Sequence, residues 1–269
     1  MSASLPDQSL PAVAARLRSA GCVFAEDEAR LLIAAARTPA ELAAMERQRM
    51  AGQPLEHVLG WAEFCGLRIA VEPGVFVPRR RTEFLVGQAA ALLGAAPRPV
   101  IVDLCCGSGA LGVALAAAAG HPVELHAADV DPVAVRCARR NVLPVGGQVY
   151  LGDLDKPLPA GLRGRVDVLL ANVPYVPTGD VALLPAEARE HEARVALDGG
   201  PDGLDVLRRV TVTAPAWLAP GGHLLSEVSD RQMAAATTAA ATAGLAPRLA
   251  RSDELGATVL IAARPDTAG

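Results

Sequence analysis

The sequence predicts an α/β protein built on a doubly wound parallel sheet, with a small helical unit in front of it. Two observations carry the sheet. From Val100 onward, short β-branched runs alternate with helical stretches, as strand–helix–strand units require. The first of these runs, Val100-Ile-Val-Asp103-Leu, passes into a glycine-rich turn, Cys105-Cys-Gly107-Ser-Gly109, and then into an alanine-rich helix. A third observation sets the front of the chain apart. Between Leu10 and about Met50 apolar residues recur at helical spacing, as in Leu31, Leu32 and Ala35, among strong helix formers.

Three segments follow from this reading. Residues 1–60 form the helical domain. Residues 61–78 form a β-hairpin linker, because Leu67, Ile69 and Val71 alternate with polar or small residues and Pro73-Gly74 offers a turn. Residues 79–269 hold the sheet, with strands expected at 100–104, 123–128, 149–151, 166–171, 223–227 and 258–262. The stretch from Pro174 to about Gly203 is rich in proline and acids and has no clear periodicity. A long connection after a central strand lies over the carboxyl ends of the sheet, where ligands bind, so this is a candidate substrate loop; the alternative is an unstructured surface insertion.

Composition removes several classes. With 51% hydrophobic and 20% charged residues among 269, the chain can bury a real core and is not a disordered protein. No run approaches the ~20 apolar residues of a membrane span, and the start lacks the cationic and apolar regions of a signal peptide, so a cytoplasmic location is expected. A net charge of −4 gives none of the basic field that bulk nucleic-acid binding uses. The cysteines Cys22, Cys65, Cys105, Cys106 and Cys137 are odd in number and show no C-x-x-C spacing, so reduced thiols and no metal are expected.

Two constellations carry chemistry. Glycines in a strand-to-helix turn let backbone approach a ligand closely, and Asp129 ends the next strand, where a carboxylate can accept hydrogen bonds from ribose hydroxyls. Two cofactors compete for such a site. A dinucleotide fingerprint places its first glycine directly after the strand, whereas this chain interposes Asp103-Leu-Cys105-Cys; an acid there sits poorly beside a pyrophosphate and suits a cationic methyl donor. The arrangement resembles the S-adenosylmethionine site of the class I methyltransferases. In the second constellation, a buried strand ends in Asn172-Val173-Pro174-Tyr175. The Asn172 side-chain oxygen and the Val173 carbonyl can accept both N–H bonds of a planar NH2 group while the Tyr175 ring stacks on it, which is what methylation of such a nitrogen needs.

With both motifs placed, the sequence resembles the HemK-type protein-glutamine N-methyltransferases. The resemblance covers most of the chain: Gln53-Pro-Leu55, Gly60, Glu63-Phe64, Pro73 to Pro78-Arg79, Thr82-Glu83, the glycine turn, Asn172 to Tyr175, and Ala196-Leu-Asp-Gly-Gly-Pro-Asp-Gly-Leu-Asp205. It implies a Rossmann-like seven-stranded class I methyltransferase domain after the helical domain and hairpin. It further implies S-adenosylmethionine as methyl donor, S-adenosylhomocysteine as product, no metal, and the Gly-Gly-Gln loop of a peptide-chain release factor as protein substrate. Asp103, Cys105, Gly107, Gly109, Asp129, Val130, Asp153, Leu154 and Asn172 would then bind the donor, with Gly107 and Gly109 along its methionyl part, Asp129 on the ribose and Asp153 near the adenine. Asn172, Val173, Pro174 and Tyr175 would form the catalytic acceptor site.

The chain departs from the family pattern at three places. Asn-Val-Pro-Tyr replaces Asn-Pro-Pro-Tyr, which removes a ring that fixes φ and predicts a looser acceptor carbonyl. Arg80-Arg81 replaces Pro followed by an acid, which predicts an altered partner surface, and Glu192-Ala-Arg194 replaces Glu-Pro-Arg. Beside the release-factor reading stand an N-methyltransferase of a small-molecule amide or amine, a nucleic-acid adenine methyltransferase, and a cofactor-binding protein without turnover.

Overall fold

The computed structural model describes residues 7–94 and 97–266. Four helices open the chain: α1 (Leu10–Ser19), α2 (Ala25–Ala35), α3 (Pro39–Met50) and α4 (Leu55–Leu59). The Thr38 hydroxyl accepts from the Glu41 backbone N–H at 3.1 Å and Pro39 presets the first turn, so α3 starts where the chain chemistry allows. The helices enclose their own core of Val13, Leu17, Ala29, Leu32 and Leu42. No helix among the described residues is long and apolar enough to cross a membrane.

A two-stranded hairpin follows, β1 (Trp61–Phe64) paired antiparallel with β2 (Leu67–Ala70). Its turn is Cys65-Gly66, with φ of 49° and 72°, not Pro73-Gly74 as the sequence suggested. A two-residue hairpin turn of this hand needs consecutive positive φ values, which the proline ring forbids. Gly74 instead forms a parallel bridge with Glu192.

The remaining elements are α5 (Glu83–Ala90), β3 (Val100–Leu104), α6 (Ala110–Ala119), β4 (Glu124–Asp129), α7 (Pro132–Val142), β5 (Gln148–Leu151), β6 (Val166–Ala171), α8 (Ala186–His191), α9 (Asp205–Trp217), β7 (Leu218–Glu227), α10 (Met233–Thr242), β8 (Ala246–Ser252) and β9 (Ala257–Ala263). The seven strands β3–β9 form one sheet in the order β5-β4-β3-β6-β7-β9-β8. The first five in that order run parallel, and β9 pairs antiparallel with both β7 and β8. Every side chain of β3 is buried, as in a strand covered by helices on both faces. One face packs on Leu169, Leu207 and Trp217, and the other on Leu85, Leu115 and the hairpin's Phe64 and Ile69. Strand β8 escaped the sequence reading because it is an edge strand: its side chains are half-buried or exposed, and Pro247, Arg248 and Arg251 interrupt any apolar alternation.

The order reverses between β3 and β6, which opens a crevice at the carboxyl ends of the central strands. Residues 174–203 lie over that crevice in short helical turns, so the segment is an ordered lid and not an unstructured insertion. Its two ends clasp each other. The Val176 N–H donates to the Leu197 carbonyl at 3.0 Å, Gly199 N–H to the Val176 carbonyl at 2.8 Å, and Thr178 N–H to the Gly200 carbonyl at 2.9 Å. Gly203 has φ of 76°, and a Cβ there would collide with the Tyr175 carbonyl oxygen.

Gly203→Ala therefore combines backbone strain with a clash at the clasp, and is expected to lower stability by about 1–3 kcal/mol. Denaturant unfolding with the wild-type midpoint would show that the clasp does not constrain the fold.

Candidate active site

The carboxyl ends of β3, β4 and β6 open on a cavity of ≈ 520 Å³, a size typical of small-molecule sites. The glycine turn forms part of its wall. Cys105, Gly107 and Gly109 all take positive φ there, at 54°, 56° and 78°, which reverses the chain between β3 and α6. Gly107 lines the cavity; Gly109 does not. A Cβ on Gly109 would lie 2.7 Å from Val142 Cγ2, so this glycine lets α6 approach α7.

Two carboxylates face the cavity from adjacent strand ends. Asp129 accepts from the Gly107 N–H at 2.8 Å and from the Asp131 N–H at 2.9 Å. Burial nonetheless raises its pKa above the ordinary range. Asp103 is 1% exposed and accepts from the Gly112 N–H at 2.9 Å. Burial pushes its carboxyl up to about 7; the Gly112 bond opposes the shift and the nearby Asp129 charge adds to it. Burial also drives the Cys105 and Cys106 thiols far up, so neither is a ready thiolate.

Val130, Asp153 and Leu154 complete this side of the wall. The Arg209 guanidinium, at 2.6 Å, and the Lys156 ammonium, at 2.7 Å, hold the Asp153 carboxyl below its ordinary pKa. Leu154 is buried with φ of 53°, which turns its backbone into the cavity rim. Val130 is half exposed, an apolar surface beside Asp129.

The opposite wall is Asn172, Val173, Pro174 and Tyr175, where β6 ends. The Ser226 hydroxyl donates to the Ala171 carbonyl at 2.7 Å and fixes the strand end. Among the described residues, the Asn172 Oδ1 is buried without a hydrogen-bond partner. Val173 packs in the core at 2% exposure, so side-chain burial holds this segment where the family pattern uses a second proline ring. The Tyr175 hydroxyl donates to Glu227 Oε1 at 2.8 Å and receives a hydrogen bond from Arg81.

Several residues at the site were not singled out as site residues in the sequence. Glu227 ends β7 and takes Arg81 Nε at 2.8 Å and the Thr82 hydroxyl at 2.6 Å. Arg81 is thus bound at the site wall while its side chain stays partly exposed, and Arg80 is exposed as well. Glu192, in the Glu-Ala-Arg segment, accepts from the Val77 N–H at 3.1 Å and from Arg79 at 2.6 Å, which ties the lid to the segment after the hairpin. Arg49 of α3 bonds Glu28 and Glu187 at 2.6 Å each, joining the helical unit to the lid. An acid at a strand's carboxyl end had singled out Asp103 and Asp129, and the same signal would have found Glu227.

Sheet order, crevice and glycine turn define a methyltransferase of the class I, Rossmann-like kind. Residues 66–200 match the methyltransferase small domain family. Over 199 residues the chain is 40% identical to the release factor glutamine methyltransferase of Geobacter sulfurreducens, covering 72% of this chain and 68% of that protein. It is also 40% identical over 197 residues to the 4-amino-L-phenylalanine/4-methylamino-L-phenylalanine methyltransferase of Streptomyces pristinaespiralis, covering 70% of this chain and 65% of that one. These alignments thus span about two thirds of the relatives' own length. Among solved structures, a methyltransferase from Pyrococcus furiosus shares the fold, with a TM-score of 0.54 at 18% identity over 74% of this chain and 90% of that one. The chain belongs to the release factor glutamine methyltransferase family.

Asp103 gives a pH prediction. Its folded pKa, about 7, lies above the ordinary 3.8, so the folded state binds a proton that the unfolded state releases. The group's relative contribution to stability is lost as pH rises from about 3.8 to about 7. Asp103→Asn removes that dependence, and in donor-free protein should raise the melting temperature more at pH 8 than at pH 5. Equal changes at both pH values would show that the carboxylate carries no such burden.

Proposed function

We propose that this chain transfers the methyl group of S-adenosylmethionine to the side-chain amide nitrogen of a protein glutamine, with the Gly-Gly-Gln glutamine of a release factor as acceptor. The observation that carries the acceptor chemistry is Asn172 Oδ1, buried at the cavity wall without a partner. A buried amide oxygen left unsatisfied costs about 1–3 kcal/mol, and an NH2 group entering beside it removes that cost. The oxygen has no protein bond to lose when the amide turns toward an acceptor.

The donor fits the other wall. Asp103 and Asp129 favour a cationic ligand in a cavity of ≈ 520 Å³, Asp129 keeps lone pairs for ribose hydroxyls, and Val130 and Leu154 offer apolar cover to a base. Cys105 and Gly107 bring backbone close to the methionyl part, and Asp153 lies where it can reach the adenine edge. Bound there, S-adenosylmethionine would supply an electrophilic methyl group and leave as S-adenosylhomocysteine, while the amide nitrogen gives up one N–H proton to water. An amide nitrogen is a poor nucleophile because its lone pair is delocalised, so positioning has to supply much of the rate. Asn172 and the Val173 carbonyl accept both N–H bonds and turn the nitrogen's face to the donor. Burial, and the Glu227 charge after it, raise the Tyr175 pKa far above the ordinary range, so the hydroxyl keeps its proton and the ring acts by contact rather than as a base. In this reading residues 1–60 are a helical domain, 61–78 a linker and 79–269 the catalytic domain.

A second acceptor class, an aromatic amine on a small molecule, is favoured by the Streptomyces pristinaespiralis relative, whose identity of 40% equals that of the Geobacter protein. Mass spectrometry of release factor incubated with this protein and S-adenosylmethionine separates the two. A single added methyl on the Gly-Gly-Gln glutamine is expected. An unmodified release factor beside a methylated 4-aminophenylalanine would replace the protein acceptor with the small molecule. Asn172→Ala should lower kcat/KM for the acceptor by about a hundredfold while S-adenosylhomocysteine still binds; an unchanged rate would remove Asn172 from the acceptor site.

A further inference from the structure

We propose that Glu227 is the positioning residue that fixes the Tyr175 ring at the acceptor site, with Arg81 as its counter-charge; the role rests on the acceptor reading above. Glu227 closes β7, opposite Val259 of β9, and is 3% exposed. Its Oε1 accepts from the Tyr175 hydroxyl and from Arg81 Nε, each at 2.8 Å, and its Oε2 accepts from the Thr82 hydroxyl at 2.6 Å. Arg81 also donates to the Tyr175 hydroxyl, which closes a three-membered ring of hydrogen bonds. A carboxylate this buried is tolerated only when charge-paired and hydrogen-bonded, and here three donors from two other segments meet that condition.

The tyrosine is held at both ends from one connection. Five residues beyond Glu227, the Gln232 amide donates to the Tyr175 carbonyl at 2.8 Å. Gln232 is itself set by Ser229, whose N–H and hydroxyl reach its Oε1 at 3.1 and 2.8 Å. The link from β7 to α10 thus acts as a bracket, with Gln232 on the backbone of Tyr175 and Glu227 on its hydroxyl. A ring that stacks on a substrate contributes most when its rotamer is fixed before binding. The raised hydroxyl pKa keeps the donating proton in place through neutral pH.

This arrangement explains Arg81. The family pattern has an acid at this position, yet here an acid would face Glu227 across the wall. The cation offsets the buried charge and adds a second hydrogen bond to the tyrosine. Tyr175 and Arg81 line both the donor cavity and a smaller one of ≈ 340 Å³ that Glu227 also lines. The hydrogen-bonded ring therefore lies where the two spaces adjoin.

The test is a double-mutant cycle of Glu227→Gln and Tyr175→Phe, read with kcat, KM for the acceptor, S-adenosylhomocysteine affinity and melting temperature. Each single variant is expected to lower kcat/KM for the acceptor about tenfold, with cofactor affinity within twofold of wild type. Because both remove the same tether, the double variant should be no slower than the worse single. Single losses that multiply in the double variant would overturn the proposal, as would a fully active Tyr175→Phe, which keeps the test decisive if the glutamate variant folds poorly. A second arm needs no acceptor. The chain has two tyrosines, Tyr150 and Tyr175, so carbon-13 NMR of the phenol Cζ can resolve each at neutral pH. Glu227→Gln should move the Tyr175 resonance, whose hydroxyl loses its charged acceptor, and leave that of Tyr150 in place; an unmoved Tyr175 overturns the tether. An unmodified release factor beside a shifted Tyr175 resonance speaks against the acceptor and supports the tether.

Discussion

The fold holds a polar side chain where burial disfavours it, at the end of a central strand with no group among the described residues to satisfy it. Asn172 Oδ1 is that group, and much of the surrounding architecture can be understood as keeping it in place. Ser226 secures the carbonyl just before it, Val173 is packed into the core just after it, and hydrogen bonds clasp residues 176–178 to 197–200 beyond it. The topology supplies the setting. Strand order reverses between β3 and β6, so their carboxyl ends diverge and leave a crevice.

Charge organises the walls of that crevice. Three arginines from the first third of the chain, Arg49, Arg79 and Arg81, each hold a glutamate from beyond residue 185: Glu187, Glu192 and Glu227. Pairs of this kind add little net stability when their desolvation is counted, but breaking one leaves a charge uncompensated, so they define register well. They fasten the lid to the helical unit, the lid to the segment after the hairpin, and that segment to the end of β7. Asp103 and Asp129 contrast with them. They are met mainly by backbone N–H groups, which leaves that side of the cavity with an unspent preference for a cation.

Much of this was legible in the sequence, for physical reasons that differ by element. The parallel strands stood out because burial on both faces makes them continuous apolar runs, and the glycine turn because the positive φ values at Gly107 and Gly109 call for glycine. Asp103, Asp129 and Asn172 were legible as polar residues closing such runs. Strand β8 was not, since an edge strand needs no apolar face, and the hairpin turn was misplaced because Cys65-Gly66 is a weaker turn signal than Pro73-Gly74. The packing of Gly109 against Val142 was not legible, because glycine serves close helix packing and close ligand approach alike and sequence spacing does not separate them. The partnership of Arg81 with Glu227 joins residues 146 apart in the chain and has no local signature.

The central claim is that the unsatisfied Asn172 amide receives the nitrogen to be methylated. A crystal structure of the protein with S-adenosylhomocysteine and a Gly-Gly-Gln peptide tests it most directly. The account predicts the glutamine side-chain nitrogen within hydrogen-bonding distance of both the Asn172 amide oxygen and the Val173 carbonyl, with its face toward the donor sulfur. A glutamine bound elsewhere, with Asn172 Oδ1 still unpaired, would contradict it.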